Sequence, residues 1–160
     1  AMRALDLLEA VGSDVLAGDY GTTPAADEGS PGYTRFAEQY AERFGEEPPL
    51  SFMDTTYDAV AVTGLAIAWT VANELEPTPE NLRDGLRAVA SPPGATVSVG
   101  EFREALDLLA QGEDIDFSGA AGEVDFDEYG QVITPVEVWQ FTSDSIDTVE
   151  IRRADEIPLE

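Results

Sequence analysis

The feature that most constrains the fold of this sequence is one long apolar stretch, Ala59–Ala72, interrupted only by Thr63, Gly64 and Thr70. It falls short of the roughly 18 consecutive apolar residues that a membrane-spanning helix needs. The stretch lies inside a predicted helix from about Thr56 to Leu75. Because a helix that is apolar around most of its circumference is normally buried, we expect this helix to be mostly buried in a packed core.

Helical spacing predicts two helices before this one. Apolar residues recur at helical intervals over Met2–Val11, and Gly12 ends that helix. Aromatic residues three or four positions apart indicate a helix from about Pro31 to Phe44. This aromatic stripe consists of Tyr33, Phe36, Tyr40 and Phe44. Such a stripe either lines a ligand pocket or packs in the core, and we favour the core.

Capping residues predict two helices after it. Thr78 at the N-cap with Pro79 at the first helical position starts one helix. Ser98 followed by Glu101 matches a capping box, and the helix that it opens ends near Gly112.

The predicted strands are short and concentrate toward the end of the chain. Extended segments are predicted at Val15–Tyr20, Leu50–Met53, Ile115–Val124, Val136–Phe141 and Ile146–Ile151. A β-hairpin is predicted where Val124–Phe126 and Gln131–Ile133 flank the turn Asp127–Gly130. The class is therefore α/β with few strands for its helices, which predicts a piece of a larger protein.

The charge balance excludes several classes of partner. The 160 residues include 33 acidic and 8 basic ones, all Arg, for a net charge of −25. Such a surface repels nucleic-acid phosphate and anionic lipid. Salt screens the self-repulsion that this charge creates, so we favour a salt-rich habitat; a merely acidic secreted protein from a GC-rich genome is the alternative.

The absence of two residue types narrows the chemistry. The sequence has no Cys and no His, which removes thiolate chemistry, the Ser-His-Asp constellation and most transition-metal sites. No phosphate-binding glycine motif or nucleophile elbow occurs. We therefore predict no enzyme activity, no catalytic residues and no cofactor.

Several short runs, taken in order, resemble one family. The runs are Gly18–Pro24, Tyr33–Phe36, Tyr57–Ala59, Gly112–Gly122 and Val124–Asp127. Together they are similar to the C-terminal part of solute-binding proteins of the branched-chain amino-acid type, which serve ABC transporters. The resemblance implies a partial type I periplasmic-binding architecture, Rossmann-like, with helices on a mostly parallel sheet plus a C-terminal β-hairpin.

The resemblance also implies a division of the chain between two hinged lobes. Residues 1–17 would be a remnant of the second lobe, and residues 18–24 a crossover strand. Residues 25–112 would belong to the first lobe, and residues 113–160 would form a crossover and the closing strands of the second lobe. A signal peptide would lie upstream, and the location would be periplasmic or extracellular.

The candidate binding residues are those around the start of the long apolar helix, which face the cleft in the family. Here they are Phe52, Met53, Asp54 and Thr55, with Tyr57 at the cleft wall or in the core. The family tends to place an aromatic residue near Asp54, so a carboxylate there disfavours an apolar solute. It would instead pair with a cationic or hydroxyl-bearing group. The alternative is that Asp54 caps the helix.

Four aspartates match a calcium-binding loop only in part. Asp114, Asp116, Asp125 and Asp127 are closely spaced, but Val136 stands where a calcium loop needs a bidentate Glu. Solvated turn carboxylates are the interpretation that we favour, and no metal is predicted.

The predicted function is capture of an amino-acid-like solute for an ABC-transporter permease by lobe closure. The alternatives are an extracellular sensing domain on the same fold and a non-binding module that forms a homodimer through an open sheet edge.

Overall fold

The structure is a computed structural model, and it describes residues 4–49, 52–153 and 156–157. Within these residues the chain forms six α-helices and five β-strands. The helices are α1 Leu5–Val11, α2 Ser13–Leu16, α3 Pro31–Phe44, α4 Met53–Ala72, α5 Pro79–Val89 and α6 Phe102–Ala110. The strands are β1 Tyr20–Pro24, β2 Ala95–Ser98, β3 Ile115–Ser118, β4 Val136–Phe141 and β5 Ile146–Arg152. The predicted α/β class is confirmed.

The chain divides into two compact units. One comprises the residues up to Ala25 together with those from Thr134 onward, and the other comprises Ala26–Ile133. No described helix is long and apolar enough to cross a membrane.

The first unit is an antiparallel sheet of strand order β1-β4-β5. Tyr20 pairs with Gln140 and Pro24 with Val136, while β4 and β5 form the C-terminal hairpin. Its core is an aromatic pair, Trp139 and Phe141, buried with Leu8 of α1. Strand β1 is an edge strand, which is why it tolerates Pro24.

The second unit packs helices on a parallel sheet made of β2 and β3. Ala95 pairs with Ile115 and Ser98 with Ser118. Two clusters of buried residues form its core, and the larger one joins α4, α5 and α6 to the sheet. The buried residues of that cluster are Ala61, Val62, Leu65, Ala66, Val89, Ala90, Val97, Ala105, Leu109, Ile115 and Phe117.

The predicted helix ends are confirmed where a cap defines them. The Ser30 side chain accepts a hydrogen bond from the Tyr33 N–H, and Gly45 ends α3 in the left-handed conformation. Thr78 caps α5 through the Asn81 N–H at 3.3 Å. Of the predicted capping box only half forms, because the Glu101 carboxylate accepts from the Ser98 N–H while the Ser98 hydroxyl donates to the Ser118 carbonyl.

Two strand predictions are wrong, and one strand was missed. Residues Ser13–Leu16 form a helix, so the strand predicted at Val15–Tyr20 begins only at Tyr20. The described part of the segment predicted at Leu50–Met53 is not a strand, because Phe52 is in a left-handed turn and Met53 begins α4. Residues 50–51 lie outside the described residues. Strand β2 was not predicted, although Thr96 and Val97 favour extended structure.

The hairpin predicted at 124–133 is also wrong, although its turn forms. The Asp127 carboxylate accepts hydrogen bonds from the N–H groups of Tyr129 and Gln131. Arg87 donates to the carbonyls of Asp127 and Glu128 at 3.2 and 2.9 Å. These side chains satisfy the backbone groups of the turn, and residues 124–126 and 131–133 on either side of it form no strands.

Helix α4 is half-buried rather than mostly buried. One side packs into the core, and the other side is open to solvent, with Val60 and Val71 at 70% and 68% exposure. The helix spans Met53–Ala72, so it begins and ends three residues earlier than predicted.

Candidate functional site

The candidate site is the turn that opens α4. Phe52 occupies the N-cap position with φ 69° and ψ 13°, a left-handed backbone that an aromatic residue rarely adopts. Its carbonyl accepts hydrogen bonds from the Thr55 and Thr56 hydroxyls at 3.1 and 2.7 Å and from the Thr56 N–H at 3.0 Å. Backbone strain of this kind costs about 1–3 kcal/mol and is typical of functional sites.

Asp54 is the second residue of α4, in its first turn. The interpretation that Asp54 caps the helix is wrong, because the N-cap is Phe52 and the cap makes no side-chain hydrogen bond. A carboxylate in the first turn is stabilised by the helix dipole. Asp54 is only partly buried.

Negative charge converges near this turn. Burial raises the pKa of Tyr33, and the charges of Glu28, Asp54 and Glu47 raise it further. Tyr33 belongs to the aromatic stripe of α3, in which Phe36 is buried and Phe44 is 61% exposed. The region between these helix starts therefore has a negative potential beside an aromatic ring, which suits a cation.

Met53 and Tyr57 lie beneath the turn rather than at its surface. Both pack against the smaller core cluster of Phe36, Val99 and Ala120. The Tyr57 ring lies 5.4 Å from the Phe36 ring, and its hydroxyl accepts a hydrogen bond from the Gly100 N–H at 3.3 Å. Burial raises the pKa of Tyr57. These two residues therefore hold the turn in position.

Thr55 lies on another side of the helix. It lines a shallow cavity of about 470 Å³ on the outer face of α4, together with Thr56, Ala59, Val60 and Thr63. Asp54 is thus the candidate residue whose charge raises the pKa of Tyr33, while Thr55 borders this separate cavity.

Asp58 is a structural member of the site that sequence analysis did not single out. It is 5% exposed, and its two carboxylate oxygens accept hydrogen bonds from the N–H groups of Ala120 and Ala121 at 2.6 and 2.8 Å. A Cβ on Gly119 would lie 2.5 Å from the Asp58 carboxylate, so only glycine fits there. Asp58 therefore fastens α4 to the loop after β3.

The signal for this contact was present in the sequence. Asp58 lies in the Tyr57–Ala59 run, and its partners lie in the Gly112–Gly122 run, both of which carried the family resemblance. Their pairing was not predicted because Asp58 and its two partners are 62 and 63 residues apart in the chain.

The aspartates that are spaced like calcium ligands in the sequence have other roles in the structure. Asp127 closes its own turn, and Asp116 is a strand residue whose pKa is raised by burial and by the charges of Asp125 and Glu123. Among the described residues, no group of three or more Asp or Glu side chains is arranged to hold a metal ion.

Comparisons with known proteins identify the family of this chain. The family model described as "Receptor family ligand binding region" matches residues 2–144. The chemotactic signal transduction system substrate-binding protein BasB of Halobacterium salinarum is 29% identical over 107 residues, which are 67% of this chain and 25% of that protein.

A solved structure gives the same result for the fold. The leucine-binding protein LivK of Thermotoga maritima superposes with a TM-score of 0.59 at 23% identity, covering 97% of this chain and 36% of that chain. At this identity the superposition shows the fold alone. The chain thus spans about a quarter to a third of the length of these two proteins.

Proposed function

This chain belongs to the family of receptor ligand-binding regions, as part of a type I periplasmic-binding protein of the branched-chain amino-acid type, and from that premise we propose that it forms one wall of an extracytoplasmic solute site. The observation that carries the proposal is the strained turn at the start of α4. There Phe52, which is 40% exposed and has a positive φ, precedes Asp54 by two residues.

The proposed mechanism is closure of two hinged lobes around the solute. Residues 25–112 would lie in the first lobe, residues 18–24 would form one crossover, and residues 113–160 would form another crossover and the closing strands of the second lobe. A solute that contacts both lobes binds the closed state more tightly and shifts the population toward it. The chain divides into compact units near Ala25 and again near Thr134, so residues 113–133 would be the crossover and the residues from Thr134 onward the closing strands.

The proposed solute is a small polar molecule with a cationic or hydroxyl-bearing group, such as an amino acid. Asp54 would accept a hydrogen bond from that group, and the charges of Glu28 and Glu47 near Tyr33 would favour a cation. A hydrogen bond to a charged group contributes roughly 1.5–3 kcal/mol. Met53 and Tyr57 would support the wall from beneath, and Thr55 would lie at its border.

We propose that the protein captures its solute for an ABC transporter, and we expect the permease of that transporter to be its protein partner. The location would be periplasmic or at the cell surface, in a salt-rich habitat. The strongly negative charge supports that habitat, because molar salt shortens the range of charge repulsion to about 3 Å.

Sensing is a second candidate, and one observation favours it. The protein BasB, which is similar over 67% of this chain, is described as part of a chemotactic signal transduction system. The same fold serves both roles, so the site alone does not separate them. Loss of solute uptake after deletion of the gene would support transport, whereas loss of chemotaxis with uptake intact would support sensing.

Calorimetry on the full-length protein in molar salt tests the solute site. The panel comprises Leu, Val, Arg, Ser, an amide and urea, and we expect one polar or cationic member to bind. Asp54→Asn should weaken that binding at least about tenfold, since it removes a charge-assisted hydrogen bond. Asp107→Asn, which removes an exposed carboxylate on α6, is the matched control. Equal affinities for the two variants, or no binding across the panel, would contradict the proposal.

A further inference from the structure

The outer face of α4 is an apolar surface that nothing in the described chain covers. We define it by the exposed residues Thr56, Ala59, Val60, Thr63, Gly64, Ile67 and Val71. They recur three or four positions apart and so form one continuous strip along the helix. The exposures of Val60, Ile67 and Val71 are 70%, 45% and 68%.

The composition of this face is not that of a surface in contact with water. From Ala59 to Ala72, α4 has no Asp, Glu or Arg, whereas 26% of all residues in the chain are charged. A helix at the surface of a globular protein normally carries charged or polar residues on its outer side. An uncharged outer side in a chain of net charge −25 therefore indicates a covered surface.

Gly64 is a second indication that the outer face of α4 is covered. A glycine within a helix costs about 1 kcal/mol relative to Ala, so it usually has a packing reason. Gly32 and Gly85 have such a reason, because an added Cβ would meet the Gly119 carbonyl or the Ala66 carbonyl. At Gly64 an added Cβ would meet nothing within 4 Å. A backbone that approaches closely from outside the described chain would supply the reason that is missing.

We propose that the outer face of α4 is the docking surface for a helix from the remainder of the two-lobe fold. The relatives contain much polypeptide with no counterpart here, since the matched region covers 36% of LivK and 25% of BasB. Small residues at Ala59, Thr63 and Gly64 let two helices approach closely, and Val60, Ile67 and Val71 would pack on either side of the contact. The partner helix would be apolar on its matching face.

A second copy of the chain fits this surface less well. Two copies would bring together two charges of −25. The strip has a footprint on the order of 300 Å², from a 20-residue helix about 30 Å long and 10 Å wide, whereas each partner in a stable complex commonly buries about 800 Å². So small a contact suffices within one folded protein, where the two segments are held together.

Single-cysteine labelling tests the proposal, because the chain has no Cys of its own. Ile67→Cys reports on the outer face, and Leu106→Cys on α6 is the matched control, since the two native side chains are 45% and 46% exposed. In the 160-residue chain, we expect the two thiols to react with a maleimide at rates within about threefold of each other. In the protein extended by the sequence encoded upstream of Ala1, labelling of the Ile67→Cys variant should slow at least about tenfold, and labelling of the Leu106→Cys variant should change less than about threefold.

Each other outcome overturns the proposal. Unchanged labelling of Ile67→Cys in the extended protein, or a gene that encodes no further fold, would show that no such helix covers the face. Protection already present in the 160-residue chain would also overturn it, and a dependence on protein concentration would then identify a second copy as the occupant. Val71→Cys repeats the measurement one turn along. The labelling needs no solute, so its result is independent of the proposed binding site.

Discussion

Asp58 is the residue on which the geometry of the candidate site most depends. Its carboxylate holds the N–H groups of Ala120 and Ala121, and Gly119 allows the loop to approach it. The same helix turn carries Tyr57, whose hydroxyl accepts from the Gly100 N–H. Two loops that follow the parallel strands are thus fixed to the first two turns of α4, which place Asp54.

Replacing Asp58 should therefore destabilise the fold. Asp58→Ala leaves two buried N–H groups without an acceptor, and we expect a loss of about 1–3 kcal/mol at pH 7. Urea unfolding in molar salt, followed by circular dichroism, measures this loss. Asp54→Ala, one turn earlier on α4, removes only a favourable dipole interaction and should cost less than about 1 kcal/mol. A smaller loss for Asp58→Ala than for Asp54→Ala would contradict the anchoring role.

Asp58 should also make the stability depend on pH. Burial raises the pKa of Asp58 to about 6, against the opposing effect of the two N–H donors, whereas an unfolded Asp titrates near 3.9. The folded state then binds the proton more tightly than the unfolded state. The contribution of this group is fully present below about pH 4 and is lost as the pH rises through about 6, by at most about 3 kcal/mol.

The difference between wild type and Asp58→Asn isolates this effect, because Asn does not titrate. Between about pH 4 and pH 7 the wild type should lose up to about 3 kcal/mol of unfolding free energy relative to the variant. Unfolding at constant molar salt measures both proteins over this range. A difference that does not change with pH would show that the folded and unfolded pKa values of Asp58 are the same.

Sequence reasoning located the candidate residues but not the contacts that position them. Asp54 and Phe52 could be identified because the family resemblance marks the start of the long helix. The left-handed backbone at Phe52 could not, since no local pattern predicts φ 69° for an aromatic residue. The role of Asp58 depends on Gly119 and its loop, far away in the chain, and local rules do not pair such segments.

At the scale of elements, two helical glycines should respond in opposite ways to the same substitution. Gly32→Ala would place a Cβ against the Gly119 carbonyl in the second unit, and overpacking of this kind typically costs about 1–3 kcal/mol. Gly64→Ala meets open space on α4 and should stabilise the 160-residue chain by about 0.5–1 kcal/mol through helix propensity. Urea midpoints of the two variants test this, and a loss of stability for Gly64→Ala would show that its surroundings are not open.

The elements that could be predicted are those whose ends are determined locally. Ser30 with Pro31, and Thr78 with Pro79, determine the starts of α3 and α5 through their own hydrogen bonds and fixed φ angles. The failures were at short extended segments. Periodicity placed the first strand too early and missed β2, because β1 and β2 are defined by their pairing with the distant strands β4 and β3.

At the scale of the whole molecule, the partial periplasmic-binding architecture could be predicted from the order of several weak motifs. The family match over residues 2–144 and the superposition on LivK confirm that prediction. The shortage of strands was also informative, because a two-stranded parallel sheet gives the four helices of its unit little to pack on. The open side of α4 could not be predicted, since an apolar helix has the same pattern whether its partners are present or absent.

The charge of the molecule leads to the last prediction, a rise in stability with salt. Eight Arg residues can neutralise at most eight of the 33 acids. The described ion pairs, such as Arg35–Glu101 and Arg83–Asp84, are largely exposed, and exposed pairs contribute little. Most of the repulsion among carboxylates therefore remains, and only screening by ions reduces it.

Between about 0.1 M and 1 M KCl the screening length falls from about 10 Å to about 3 Å, so the thermal midpoint should rise across this range. A variant with Glu38→Gln, Glu42→Gln, Glu104→Gln and Asp107→Asn reduces the magnitude of the negative charge from −25 to −21. Its thermal midpoint should therefore rise less with KCl. Sucrose, which strengthens burial without screening charge, should raise both midpoints equally. A midpoint that does not respond to KCl, or an equal response in both proteins, would mean that carboxylate repulsion does not limit the stability of this fold.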